Sequence, residues 1–167
     1  MSDKPTLQEV VAEQFRNFLI AHQLRQTKER FAILHAAYNL EGTFTIDDLQ
    51  NLLDIMHFPV STGTLYNTTQ LLVQANLLIR HPFSSSTTIF ERIDESKPRN
   101  YQICSNCHTI TRIKSRELAE ALDYYRPRKF AISHRVVYVY GLCAKCQRQM
   151  NKALKIYRML EEKEKNH

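Results

Sequence analysis

Ile103-Cys104-Ser105-Asn106-Cys107 and, after a gap of 35 residues, Cys143-Ala144-Lys145-Cys146 are the stretches that decide how the second half of this chain folds. Each Cys-x-x-Cys turn aims two sulfurs at one point, and a structural zinc ion takes four thiolates at about 2.3 Å in a tetrahedral arrangement. The pattern predicts one Zn²⁺ per chain on Cys104, Cys107, Cys143 and Cys146. With all four positions filled by sulfur, none stays open for water, so the ion is expected to hold structure and perform no chemistry. Two other uses of such cysteines exist, a redox pair and a pair of disulfides in a secreted protein. Against them, residues 1–10 hold no apolar signal segment, no run is long enough to cross a membrane, and neither pair opens a helix as a thioredoxin motif does. The expected compartment is the cytoplasm, where disulfides rarely persist.

Around the cysteines, residues 101–104 and 109–113 read as short strands joined at the first pair. Residues 115–126 read as a helix with Leu118 and Leu122 inward, ended by Pro127. Val136, Val137, Tyr138, Val139 and Tyr140 form a β-branched and aromatic strand that stops at Gly141, just before the second pair. Residues 144–165 carry Met150, Leu154, Tyr157 and Leu160 at helical spacing before the charge run of residues 161–165. Half-covered strands beside an amphipathic tail helix predict a homodimer interface.

The first half has a different grammar. Thr6-x-x-Glu9 is a capping box, followed by Leu7, Val10, Val11, Phe15, Phe18 and Leu19 at helical spacing. Helices are also predicted after Thr27, with Phe31, Leu34 and Tyr38 on one face, and after Thr45, with Ile46, Leu49, Leu52 and Leu53 inward. Ser61 caps a fourth over residues 62–75, with Leu65, Thr69 and Leu72 inward and Asn76 as a left-handed stop. Residues 77–81, the turn-rich 82–87 and residues 88–93 then read as a two-stranded hairpin. Helices followed by a hairpin predict a winged helix-turn-helix, whose last helix enters a major groove wide enough to admit it. On that helix Ser61, Thr62, Thr64, Tyr66 and Asn67 are candidates to read bases or hold phosphates, with Arg25, Lys28, Arg30 and Arg80 as the backbone grip. Taken alone, the same residues also fit a helical bundle with a solvated polar face.

Charge does not locate the partner by itself. Residues 1–83 hold 6 Lys and Arg against 8 Asp and Glu, whereas residues 84–167 hold 17 against 9, so the +6 of the chain resides in its second half. The excess favours a polyanion through long-range attraction. Only three glycines are present, with no phosphate-cradling loop, no paired nucleophile and base, and no open metal position. An enzyme acting on a small-molecule substrate is not expected.

A winged helix-turn-helix followed by these cysteines resembles the ferric uptake regulator family of bacterial metal-responsive repressors over nearly the whole chain. The match runs through Leu24-Arg25-Gln26-Thr27-Lys28-Glu29-Arg30 with Ile33-Leu34, through Ser61-Thr62-Gly63-Thr64-Leu65-Tyr66, and through Leu78-Ile79-Arg80-His81 with Phe90-Glu91. It ends on Ile103 to Cys107 and on Tyr140-Gly141-Leu142-Cys143-Ala144-Lys145-Cys146. The resemblance implies a homodimer on an AT-rich palindromic double-stranded DNA operator, with Tyr66 on thymine and Arg25 reaching the minor groove.

Departures from the family pattern bear on regulation. Where similar members carry H-x-H-x-x-C, this chain has Arg99 and Tyr101 ahead of Cys104, and Thr43 stands where a histidine precedes helix three. Of the four usual regulatory ligands only Glu91 persists, and an arginine neither deprotonates to ligate nor tolerates a nearby divalent cation. Asn67 replaces the usual arginine of the recognition helix, and His108 the glycine after the first cysteine pair. Glu91 is expected to pair with a cation such as Arg99, His81 to be a wing residue bonded to backbone, and His134 a solvated strand histidine. An unconventional site for haem or another metal would draw on His81, Glu91 or His134.

The fold class expected is therefore α+β: a winged-helix DNA-binding domain over residues 1–93 and a small α/β dimerisation domain over residues 94–167, with a four-cysteine zinc site and a long terminal helix. A zinc-ribbon interaction module without specific DNA binding is the alternative, favoured by the acidic first half and by Asn67.

Overall fold

The computed structural model of the chain describes residues 5–83, 87–94 and 99–165, with side chains through Met159. The serine turn at 84–86, Lys97 and Pro98, the side chain of Leu160 and those of the terminal charge run lie outside the described residues. The chain divides into two compact units, Met1–Glu95 and Ser96–His167.

In the first unit each helix opens on a hydroxyl cap. Helix α1 (Leu7–Ala21) has the Thr6/Glu9 capping box, α2 (Lys28–Asn39) the Thr27 cap, and α3 (Ile46–Ile55) a second box from Thr45 and Asp48. Helix α4 (Thr62–Gln74) is capped by Ser61, whose Oγ accepts from the Thr64 backbone N–H at 3.1 Å. A side-chain oxygen at each start satisfies backbone donors that would otherwise be orphaned. Asn76 follows α4 at φ 54°, the left-handed stop its amide tolerates. Phe15, Leu19, Ile33, Leu34, Leu49, Leu53, Leu65 and Leu72 are wholly buried where the four helices meet.

The wing differs from the expected two-stranded hairpin. Thr43–Thr45 is a strand, β1, and with β2 (Leu78–His81) and β3 (Ile89–Arg92) it makes an antiparallel sheet in the order β1-β3-β2. Its middle residue explains the pairing: Phe44 sits opposite Phe90 with ring centroids 6.2 Å apart, so a single apolar side chain between two threonines turns inward. The sheet is fastened to α2 through Tyr38, whose hydroxyl donates to the Leu77 carbonyl at 2.9 Å, while Arg92 donates to the Tyr38 carbonyl.

The second unit contains β4 (Asn100–Cys104), β5 (Ile110–Arg112), α5 (Arg116–Tyr124), β6 (Val137–Gly141) and α6 (Ala144–Lys165). Strand β4 is central, antiparallel to β5 and parallel to β6. Parallel pairing needs a crossover, and the segment carrying α5 supplies it. Leu118 and Leu122, expected inward, are only half-buried on α5, which has no fully buried residue. His134 lies in the irregular segment before β6, not in a strand; it is exposed, with its Nδ1 3.1 Å from the Ser133 hydroxyl.

Candidate metal centre and nucleic-acid interface

The parallel register of β4 and β6 builds the sulfur cluster. Cys104 is paired with Gly141, so both strands end on the same side; the first pair follows in a tight turn, while the second opens α6 with Cys146 in its first turn, contrary to the expectation that neither pair opens a helix. The four sulfurs lie within 4.8 Å of one another, and Cys107 Sγ is 3.7 Å from Cys143 Sγ. A regular tetrahedron around a metal with bonds of about 2.3 Å has edges of about 3.8 Å, so the spacing fits one thiolate-bound ion. Cys104 and Cys146 are buried, Cys143 is half-buried and Cys107 exposed.

The backbone prepares charge at this site. N–H groups of Cys107, Cys143 and Asn106 converge on Cys104 and lower its thiol to about 6, with the Cys143 N–H 3.3 Å from Cys104 Sγ. Cys107 is also lowered, chiefly by the hydroxyl of Thr109 at 3.1 Å. The Asn106 amide donates to Cys146 Sγ at 3.2 Å and favours its thiolate, but burial and the three neighbouring sulfurs outweigh it and raise Cys146 to about 11. Four thiolates repel one another without a cation among them. Asn106 and Thr109 were not singled out from sequence; the signal was their place in and beside the first Cys-x-x-Cys turn, where amides and hydroxyls meet sulfur. His108 takes φ 57°, which accounts for the glycine usual in similar sequences.

In the first unit, α4 turns Leu65, Thr68, Thr69 and Leu72 inward and leaves Thr62, Tyr66 and Asn67 exposed, with Tyr66 at 50%. Thr68 is the inward residue that sequence reading omits. Ser61 and Thr64 are partly engaged, their hydroxyls 2.9 Å apart in the cap. Beside them a cleft of about 510 Å³ is lined by Thr27, Glu29, Arg30, Ser61, Thr64 and Asn67 among others, where the starts of α2 and α4 come together. Arg25 and Lys28 are exposed and Arg30 is half-buried, one Nη donating to the Arg25 carbonyl.

His81 and Glu91 face each other from β2 and β3, almost completely buried, with Nε2 and Oε2 3.1 Å apart and the imidazole stacked on Phe83 at 4.4 Å. His81 thus meets a carboxylate across the wing. In the second unit Tyr101 is buried against Tyr138, and its hydroxyl accepts from Arg112 Nη2 at 3.2 Å. Arg99 is also buried. Among the described residues, the four cysteines are the one group of three or more His, Cys, Asp or Glu side chains close enough to share an ion. No helix among those residues is long and apolar enough to cross a membrane.

A sequence profile of the ferric uptake regulator family matches residues 21–140. The ferric uptake regulation protein of Campylobacter jejuni is 26% identical over 149 residues, spanning 86% of this chain and 93% of its own. The structure of the ferric uptake regulator from Pseudomonas aeruginosa with manganese aligns at a TM-score of 0.61 and 20% identity, covering 77% of this chain and 97% of that one. That of Helicobacter pylori, described as having three functional metal binding sites, aligns at 0.61 and 17% identity over 88% and 97%. At such identities the structural likeness speaks for the fold.

Proposed function

Because this chain belongs to the ferric uptake regulator family of metal-responsive transcription regulators, we propose that it is a homodimeric DNA-binding repressor of metal or stress homeostasis genes. In this reading Cys104, Cys107, Cys143 and Cys146 hold one structural Zn²⁺ per chain and the family's regulatory metal site is degenerate. The observation that carries the DNA-binding part is the exposed face of α4, where Thr62, Tyr66 and Asn67 stand clear of a fully formed core. A helix of this width fits a major groove, and an exposed tyrosine offers apolar contact to thymine methyls. Ser61 and Thr64 act mainly by holding the helix start, while Arg25, Lys28 and Arg30 supply phosphate contacts on an AT-rich palindrome.

Degeneracy of the regulatory site is supported by the residues at the two histidine positions. Tyr101 is committed to packing and to Arg112, and Arg99 brings a permanent cation. Operator affinity should therefore change by less than about tenfold, about 1.4 kcal/mol, when Fe²⁺ or Mn²⁺ is added at constant zinc. Selection from a random duplex library supplies the operator, and Tyr66→Ala should weaken its binding by about 1–3 kcal/mol with the fold unchanged. A library that yields no enriched palindrome would favour the interaction-module alternative.

The buried His81–Glu91 pair favours a second reading, in which haem or another metal acts on the wing. Titration of the zinc-loaded protein, repeated on His81→Gln and Glu91→Gln, separates the two: saturable binding lost in both variants supports it, and His134→Gln tests whether that exposed side chain contributes.

A further inference from the structure

Between Asp123 and Glu161 the sequence has no acidic residue, yet it holds nine lysines and arginines. Five of them, Lys145, Arg148, Lys152, Lys155 and Arg158, lie on α6. At about 100° per residue their spacing keeps them within a sector of about 140°. Cys146, Met150, Ala153 and Tyr157 recur at intervals of four, three and four, which is the spacing of an apolar helix seam, and they fall on the opposite side. Cys146 ties the seam to the sulfur cluster, whereas residues 147–159 are all exposed. Arg148 Nε donates to the Ala144 carbonyl at 3.1 Å, and Lys145, Arg148, Lys152 and Lys155 have no acidic residue within four positions along the helix, whereas Arg158 has Glu161 and Glu162 three and four residues on.

The base-reading unit has the opposite deficiency. Residues 1–83 carry more acidic than basic side chains, and the exposed face of α4 has no cation. Neutralisation of phosphates supplies most of the non-specific affinity of proteins for DNA, so a unit that reads bases through uncharged side chains and offers only a few cations such as Arg25, Lys28 and Arg30 leaves room for a further source of that term. A duplex presents one charge per about 1.7 Å of its axis, and Lys145 to Arg158 spans about 20 Å of helix. We infer that the basic face of α6 binds the phosphate backbone of double-stranded DNA, a contact separate from α4; this rests on the proposed DNA-binding function. A membrane surface suits the helix less, because its exposed bulky apolar side chains are spread around it, with Met159 inside the basic sector and Ile156 at its edge, and are not gathered on one face.

The test compares the full-length, zinc-loaded protein with Lys152→Gln/Lys155→Gln/Arg158→Gln, on the selected operator and on a scrambled duplex, across a salt series. The slope of log affinity against log salt should fall by about 0.9 for each lost phosphate contact, hence by about 2 to 3, equally on both duplexes. The ratio of operator to scrambled affinity should stay constant. Circular dichroism and sedimentation confirm that helix and dimer persist, since all three positions are exposed and glutamine is a good helix former. An unchanged slope overturns the inference and leaves the α4 reading intact. A slope that falls on a protein with no operator preference supports the inference and removes the α4 reading. Retention by phosphatidylserine vesicles, lost in the variant while the DNA slope stays fixed, would reassign the face to membranes and overturn the inference.

Discussion

In the first unit Phe15, Leu19, Ile33, Leu34, Leu49, Leu53, Leu65 and Leu72 are wholly excluded from water, whereas the buried hydrophobic residues of the second are Tyr101, Ile103, Cys104 and Cys146 among the described residues. Tyr124 is 90% exposed and Phe130 69%, and the outer strand residues Val139 and Tyr140 are open as well. The first unit is stabilised by an apolar core of its own. The second has few buried apolar side chains, so in the proposed function its integrity depends on the ion held by the four cysteines and on the second copy that covers its apolar faces. In that reading the chain separates DNA reading from assembly: the first unit is expected to keep its shape unaided, and the second to be conditional on metal and partner.

The hardest blow to that contrast is removal of a sulfur. Structural zinc sites contribute on the order of 10–16 kcal/mol in small peptides, against net domain stabilities of roughly 5–15 kcal/mol. Cys104→Ser or Cys146→Ser should unfold the second unit and abolish dimerisation while amide protection persists in α1 to α4. A well-folded dimer from either variant would show that the sheet does not depend on the cluster.

The converse substitution belongs in the first unit. Leu49 is wholly buried between α3 and its neighbours, and Leu49→Ala should cost about 2–5 kcal/mol through lost burial and the cavity left behind. Thermal unfolding should show the transition of the first unit lowered and zinc content unchanged. If zinc is lost in parallel, the two units are not energetically independent and the comparison fails.

A gentler probe is pH. Metal binding requires thiolates, and in the metal-free site Cys104 ionises near 6 while Cys146 keeps its proton up to about 11. Binding at neutral pH thus releases at least the Cys146 proton, and affinity falls as pH falls. Competition with a chelator should give a loss of about tenfold per pH unit for each proton released. A pH-independent affinity would mean that the sulfurs are already fully ionised, and that the cluster is less buried in its electrostatics than its geometry indicates.

Legibility in the sequence followed the same division. Caps and helical periodicity placed α1 to α4 closely, because Thr6, Thr27, Thr45 and Ser61 each act on backbone groups a few residues away. Strand β1 escaped, since three residues carry almost no periodicity and its pairing with β3 is decided by Phe44 meeting Phe90 far along the chain. The cysteine spacing announced a metal cluster, but not the parallel register of β4 and β6 that assembles it, nor the thiol–amide bonds of Asn106. The meeting of His81 with Glu91 was equally out of reach, because it depends on the antiparallel register of two strands separated by a turn.

The smallest effect tests how tightly the first cysteine turn is specified. His108 is held at φ 57°, where a residue with a Cβ is strained by roughly 1–2 kcal/mol and glycine is not. Glycine gives back part of that through its larger freedom in the unfolded chain, about 0.5–1 kcal/mol. His108→Gly should therefore stabilise the second unit by up to about 1 kcal/mol, visible as slower zinc release to a chelator at fixed pH. Destabilisation instead would show that the imidazole contributes a contact worth more than the backbone strain, and would give this residue a role in the conditional unit that its geometry alone does not assign.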